Sequence, residues 1–297
     1  MKIVSASRRT DIPAFYAPWL MQRLRQGEVR VPNPFNAHQV TTVDLQPSQV
    51  ACLVLWTKDP RPLLPHLEEL ETRGYRTLFQ ITVTGLPSLL EPRVPPAADI
   101  VTAMQTLAGR IGPERIVWRF DPLLLPPLMA PETTVAIFGH LTQALEGVVR
   151  RVVISFARPY VQVVRRLRRH RLELADPATL DPQCKRRLAA PLAAIAREYG
   201  LEISACAEET DFAADGVAKG RCIDPRQLQA AFGLQLPARK DRGQRPGCGC
   251  LPSVDIGIYG TCRHGCLYCY GATDRLLLGG AVHAPDDAML VRSGPKK

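Results

Sequence analysis

Short apolar runs that alternate with helical stretches constrain this chain more than any other feature. Ile3 to Ala6, Cys52 to Trp56, Leu78 to Val83, Ile116 to Phe120, Val152 to Phe156 and Leu201 to Ala205 each read as a strand. Cys52-Leu53-Val54-Leu55-Trp56 holds no polar residue, the pattern of a strand buried on both faces. Between these runs, Pro18 to Gln26, Ala97 to Ala108, the stretch after Pro131 and Pro182 to Tyr199 read as helices. A further helix is expected after Asp59, with Leu63, Leu64, Leu67 and Leu70 at helical spacing and Gly74 as its stop. Strands that alternate with helices pair in parallel, and six or more such units favour one (β/α) barrel of TIM type over separate domains. The expectation is one α/β domain over residues 1–297, with a hairpin inserted at 28–45 and a cysteine-rich metal-binding region at 206–270.

Hydrophobic residues make up 46% of the chain, enough for a sizeable core. The longest membrane-span candidate, Pro122 to Pro131, falls well short of the roughly 20 apolar residues that a span requires, so no membrane partner is expected. Arg8 and Arg9 interrupt the N-terminus before a signal-peptide core could develop, which points to the cytoplasm. The formal charge of +10 is carried mainly by arginine, a residue suited to phosphate, so nucleic acid or a phosphorylated substrate is a candidate partner. Val161, Val163, Val164 and Leu167 interleave with Arg165, Arg166, Arg168, Arg169 and Arg171 in a basic amphipathic helix, either a solvated face or a phosphate track. The loop from Arg239 to Pro246 is also basic and precedes a cysteine pair.

Nine cysteines, an odd number gathered mostly in the last third, argue for metal rather than a disulfide framework. Cys262, Cys266 and Cys269 lie in the segment Thr261-Cys262-Arg263-His264-Gly265-Cys266-Leu267-Tyr268-Cys269-Tyr270, with C-x3-C-x2-C spacing. Three thiolates on one tight loop can hold three corners of an iron–sulfur cube and leave its fourth iron open to a small molecule. Zinc is the alternative, with Cys248-x-Cys250 pairing Cys266-x2-Cys269, although it accounts for neither the third loop cysteine nor Tyr268. Cys206, Cys222, Cys248 and Cys250 form a second potential ligand set, for an auxiliary 4Fe–4S cluster or for zinc. Cys52 in its apolar strand and Cys184 on a basic helix read as ordinary residues.

The cysteine loop, with an aromatic residue just before its third cysteine, resembles the signature of the radical SAM superfamily. Its wording, Cys-Arg-His-Gly-Cys-Leu-Tyr-Cys-Tyr, is similar to the branch of spore photoproduct lyase and the DNA repair photolyase-like proteins. Over its length the chain resembles an uncharacterised bacterial family of unknown function related to that branch, through Ser7-Arg8-Arg9-Thr10-Asp11-Ile12-Pro13 and Cys248-Gly249-Cys250. The resemblance implies a 4Fe–4S cluster whose open iron chelates S-adenosylmethionine (SAM), and an electron donor such as flavodoxin or ferredoxin. In the superfamily this loop follows the first strand, whereas here it lies near the C-terminus. The chain is therefore expected to form a circularly permuted barrel, partial or closed, in which Val254 to Tyr259 stands beside Ile3 to Ser7.

Chemistry in such barrels collects at the carboxyl ends of the strands. That rule selects Arg8, Arg9, Thr10, Asp11, Lys58, Arg119, Asp121 and Glu208 as candidate cofactor-binding residues, beside Trp56, Thr57, Thr82, Thr84, Ser155 and Arg158. Tyr268 joins the cofactor set through the loop resemblance, and Glu208 is equally suited to a helix start. His264 reads as a hydrogen-bond donor beside the cluster rather than a ligand. No catalytic acid or base stands out. The implied activity is reductive cleavage of SAM followed by hydrogen abstraction from an unknown substrate; the alternative is a non-enzymatic, metal-stabilised nucleic-acid-binding protein.

Overall fold

The computed structural model of the chain describes residues 1–176, 178–179, 182–237, 239–245, 247–272 and 281–293. Strand β1 (Lys2–Ala6) runs through α1 (Ile12–Phe15) and α2 (Ala17–Gln26) into an antiparallel hairpin of β2 (Glu28–Pro32) and β3 (Val40–Asp44). Then β4 (Val50–Thr57), α3 (Leu67–Thr72), β5 (Thr77–Thr82), α4 (Ala97–Ile111), β6 (Ile116–Leu123), α5 (Pro131–Ala144) and β7 (Arg151–Phe156) alternate. Helices α6 (Val161–Arg169) and α7 (Pro182–Glu198) lead to β8 (Glu202–Cys206), β9 (Ala218–Gly220), α8 (Pro225–Phe232) and β10 (Val254–Asp255). A small ribbon, β11 (Ala281–Val282) with β12 (Arg292–Ser293), follows.

Eight strands form one sheet in the order β10-β1-β4-β5-β6-β7-β8-β9, and every pairing in it is parallel. The last strand of this sheet in chain order, β10, thus lies beside the first, with Val254 opposite Val4 and Asp255 opposite Ser5. Among the described residues no ladder joins β9 to β10. The expected strand from Val254 to Tyr259 is shortened to two residues, because the chain must pass close over the β1 rim. A Cβ at Gly257 would stand 2.1 Å from Ser7 Oγ, so only glycine fits there. The helix expected after Asp59 is split as well. Pro65, which has no N–H to donate, ends a 3₁₀ turn over Arg61–His66 before α3 begins.

β4 is buried at every position because alternate residues face two different packing layers. Leu53 and Leu55 point to the helix-covered face, with Trp19 and Leu20 of α2, Met104 and Leu107 of α4, Phe138 of α5 and Leu188 and Leu192 of α7. There Trp118 stacks on Phe138 at 5.0 Å between ring centroids, and Phe120 meets both rings edge-on. Truncating one such aromatic costs about 3–5 kcal/mol. Cys52, Val54 and Trp56 point to the other face, which is closed by the chain following β8: Ile223, Leu228 and Leu251 cover Ile3, Leu78, Val117 and Val153. No described helix is long and apolar enough to cross a membrane.

The carboxylate of Asp255 fixes the last strand against the first. It accepts from Ser5 Oγ at 2.9 Å, Ser7 Oγ at 2.5 Å, the Arg8 amide at 2.8 Å and the Gly257 amide at 3.0 Å. Ser5 Oγ in turn accepts from Trp56 Nε1 at 3.0 Å, which carries the tie into β4. Asp255→Ala leaves these donors unpaired and is expected to lower the unfolding free energy by about 2–4 kcal/mol, the range for losing buried hydrogen bonds to a charged group. Urea unfolding monitored by tryptophan fluorescence checks this, and a loss below about 0.5 kcal/mol, the level of an ordinary surface substitution, would show that the tie is dispensable.

Candidate functional site

The loop bearing Cys262, Cys266 and Cys269 leaves β10 at the carboxyl edge of the sheet and is held from several sides. Tyr16 of the α1–α2 junction donates its hydroxyl to the Thr261 carbonyl at 2.7 Å. His264 is buried, with Nε2 2.8 Å from Asp11 Oδ2 and its ring 4.6 Å from that of Phe15. Gly265 adopts a φ of 73°, the left-handed conformation that glycine takes without strain, and this turns the chain between the first two cysteines. The backbone of Leu267 donates to the Leu90 carbonyl at 2.9 Å. From α6, the buried guanidinium of Arg166 donates to the carbonyls of Leu267 (3.0 Å), Cys269 (2.9 Å) and Ala272 (2.7 Å). The basic helix is therefore not simply a solvated face. Val163 and Leu167 are buried and Arg166 clamps the cysteine loop, while Arg165, Arg168 and Arg169 are exposed.

Glu91 organises the ground beside the third cysteine. Its Oε1 accepts from Lys58 Nζ at 2.7 Å, Thr84 Oγ1 at 2.8 Å and the Tyr268 hydroxyl. Burial is the largest influence on Lys58 and pushes its pKa down, but the charges of Glu91 and Cys266 outweigh it and hold the ammonium above its usual value. Burial, reinforced by Cys266 and Glu91, raises Tyr268 well above an ordinary phenol. The Cys262 thiol is pushed up to about 12 by burial and then by the Asp11 charge, and Cys266 rises through burial despite Lys58. A cavity of about 280 Å³ opens beside Glu91, lined also by Thr82, Thr84, Leu86, Pro95 and Ile100.

The structure sorts the other sequence candidates. Asp11 is committed to support: Oδ1 caps α1 through the Ala14 amide at 2.9 Å, and Oδ2 accepts from the Lys58 amide at 2.7 Å as well as facing His264. Arg9 lies over the Tyr259 ring at 5.4 Å and donates to the Gly257 carbonyl. Arg8 lies over Trp56 at 4.8 Å and donates through Nη1 to Ser253 Oγ, while its Nη2 and the hydroxyl of Thr10 are buried with no hydrogen-bond partner. Such orphaned polar atoms are suited to a ligand's carboxylate or hydroxyl. Arg119 pairs with Asp121, and the other oxygen of Asp121 accepts from Ser155. Glu208 starts no helix; it accepts from the Phe156 amide at 3.1 Å and faces Lys185 Nζ at 3.6 Å.

The remaining cysteines come together on the face of the sheet opposite the helices. Cys206 at the end of β8, Cys248 and Cys250 bring their sulfurs within 4.8 Å of one another. Cys222, after β9, places its sulfur 3.0 Å from that of Cys206, and its amide donates to Cys250 Sγ at 3.2 Å. Arg119 Nη1 stands 2.8 Å from Cys222 Sγ, and Gln80 Nε2 donates to the Cys222 carbonyl at 2.5 Å. Hydrogen bonding with Cys206 and then Cys250 holds Cys248 down to about 3, and Cys206 and Cys222 hold Cys250 down to about 6. Of the basic loop before Cys248, Pro246 lies outside the described residues. Cys52 is buried within β4, and Cys184 is exposed on α7. Glu91 escaped the sequence reading because it is a lone acid in the proline-rich stretch after β5, with no regular element to mark its direction.

Comparison with known proteins adds one family. A family described as Domain of unknown function (DUF1848) matches residues 3–271. No curated protein matches the chain. Among solved structures, a crystal structure of a candidate alpha-L-fucosidase from Bacteroides thetaiotaomicron VPI-5482 shares 9% identity, covering 69% of this chain and 84% of that one at a TM-score of 0.24.

Arg166→Met removes three donors from the cysteine loop and is expected to destabilise the protein by about 2–4 kcal/mol, whereas exposed Arg165→Met should stay within about 0.5 kcal/mol. Denaturant unfolding of the pair checks this; equal effects would show that Arg166 does not brace the loop.

Proposed function

We propose that this chain, which belongs to the DUF1848 family, is a radical SAM enzyme. The carrying observation is the C-x3-C-x2-C loop, set at the carboxyl edge of an all-parallel eight-stranded sheet and clamped there by Arg166, by His264 against Asp11 and by Tyr268 against Glu91. In this reading the sheet is a permuted partial barrel, entered by its cluster strand from the C-terminal end.

The donor set fits the group. Cys262, Cys266 and Cys269 are soft thiols on one loop, and they do not meet the closeness that a single ion requires, unlike Cys206, Cys248 and Cys250 among the described residues. They would hold three irons of a 4Fe–4S cluster and leave the fourth for the amino and carboxylate groups of SAM. When bound and reduced, that cluster supplies the electron that cleaves SAM to methionine and a 5′-deoxyadenosyl radical, with a flavodoxin- or ferredoxin-type protein as the source.

The protein's own residues position and shield. Arg8 Nη2 and the Thr10 hydroxyl, both unpartnered and buried, are available to a carboxylate and a hydroxyl of the bound cofactor. Lys58 remains an ammonium and offsets the negative charge that the loaded thiolates bring, while Glu91 fixes it and the Tyr268 hydroxyl together. Asp11 sets the His264 ring and so the turn between the first two cysteines. The cavity beside Glu91 offers room for a substrate group close to this network.

The test is SAM turnover by anaerobically reconstituted, dithionite-reduced protein, read as 5′-deoxyadenosine by mass spectrometry. Wild type should form it, and so should Cys184→Ala, whose thiol is exposed on α7. Cys262→Ala, Cys266→Ala and Cys269→Ala should each abolish it, because a cube that lacks one protein ligand is labile. Activity retained in any of the three, or a wild-type protein that takes up no iron, would overturn the reading.

A further inference from the structure

We propose that Cys206, Cys222, Cys248 and Cys250 bind one tetrahedral zinc ion that staples residues 206–251 across the sheet. This site is independent of the radical SAM reading. Zn–S bonds of about 2.3 Å in a tetrahedron separate the sulfurs by roughly 3.8 Å. Cys206, Cys248 and Cys250 bring three sulfurs within 4.8 Å of one another; Cys222 falls outside that mutual group but places its sulfur 3.0 Å from Cys206 Sγ, so it becomes the fourth ligand of one ion by a side-chain shift toward the other two. A four-iron cube needs each thiolate on a different iron and therefore a much wider frame. Three mutually close sulfurs with a fourth against one of them suit one centre.

The surroundings agree with a structural ion. All four thiols are buried among Ile3, Val153, Ile223, Leu228 and Leu251. Such a shell leaves no open coordination position for a substrate, the mark of a closed structural site. Loading it sends to solvent whatever S–H protons the set still holds and joins one divalent ion to four thiolates, a centre of net charge −2. The Arg119 guanidinium, 2.8 Å from Cys222 Sγ, offsets part of that charge, and the Cys222 amide already donates to Cys250 Sγ, the outer support that thiolate sites require.

The ligands also come from well-separated parts of the chain: the end of β8, the turn after β9, and the loop before β10. Among the described residues between β9 and β10 the one helix is α8, so a long irregular segment is held against the sheet by apolar contacts and a few polar ties, such as Gln80 to the Cys222 carbonyl and Arg151 to Asp224. An ion joining its two ends supplies what those contacts lack, because its binding free energy becomes folding free energy.

The experiment uses the full-length triple variant Cys262→Ala/Cys266→Ala/Cys269→Ala, which removes the loop ligands and leaves this site intact, beside the wild type. Metal analysis should find one zinc per chain in both proteins, with no iron in the triple variant. The zinc X-ray absorption edge of each should fit four sulfur neighbours at about 2.3 Å. Adding Cys248→Ser/Cys250→Ser should remove the zinc; if that protein does not fold, absorption by the wild type decides alone. Iron retained in the triple variant with iron–iron scattering would instead show a second cluster. A metal-free wild type, or one with a Cys206–Cys222 disulfide, would equally overturn the proposal.

Discussion

A ladder of two residue pairs, Val254 with Val4 and Asp255 with Ser5, decides where the cysteine loop goes. Two pairs of parallel residues are too few to hold a chain end by backbone hydrogen bonding alone. The carboxylate of Asp255 makes up the difference by collecting two serine hydroxyls and two backbone amides, so the last strand and the rim after β1 become one polar unit. Gly257 then lets the chain cross that rim at a distance no side chain tolerates. From there the loop can only descend on the carboxyl ends of β1, β4 and β5, where Asp11, Lys58, Thr84 and Glu91 wait for it. Were β10 attached elsewhere, Arg166 and Tyr16 would face solvent rather than the loop carbonyls.

The sheet's two faces divide the labour between stability and chemistry. The helix-covered face is a continuous apolar core. The opposite face is shared between apolar side chains, polar groups such as Gln80, Arg119 and Ser5, and five thiols, Cys52 and the four clustered ones. A buried arginine is costly unless it is paired. Arg119 meets that requirement with Asp121 on one side and the Cys222 sulfur on the other. The same side chain thus joins the four-cysteine set to the carboxyl rim of β6.

Much of this was legible in the sequence, for definite reasons. β4 announces itself because both of its faces are buried, so its apolar run is unbroken, and β5, β6, β7 and β8 carry the same pattern interrupted by single polar residues, Gln80, Arg119, Ser155 and Ser204. The position of β10 beside β1 could be argued from the misplaced cysteine motif. β9 could not, because Ala218–Gly220 has no apolar pattern and is recognised only through its partner β8. α8 left a fainter sign, Asp224 as a capping residue followed by Pro225 at the first helical position. At the site, residue types pointed to the right neighbourhood but not to the division of roles. Asp11 and Arg9 support the rim, Arg8 and Thr10 keep unpaired donors, and Arg166 reaches inward from a helix whose charge pattern reads as solvent-facing. Such distinctions rest on side-chain direction, which neither spacing nor composition encodes.

We propose that the C-terminal cysteine loop carries a redox-active cluster with one iron open to SAM. Electron paramagnetic resonance of the anaerobically reduced protein, recorded with and without SAM, tests it most directly. The expected result is a spin-half cluster signal whose g-values shift when SAM is added and do not shift with methionine-free buffer alone. A reduced protein that is silent, or a cluster signal unchanged by saturating SAM, would contradict the claim.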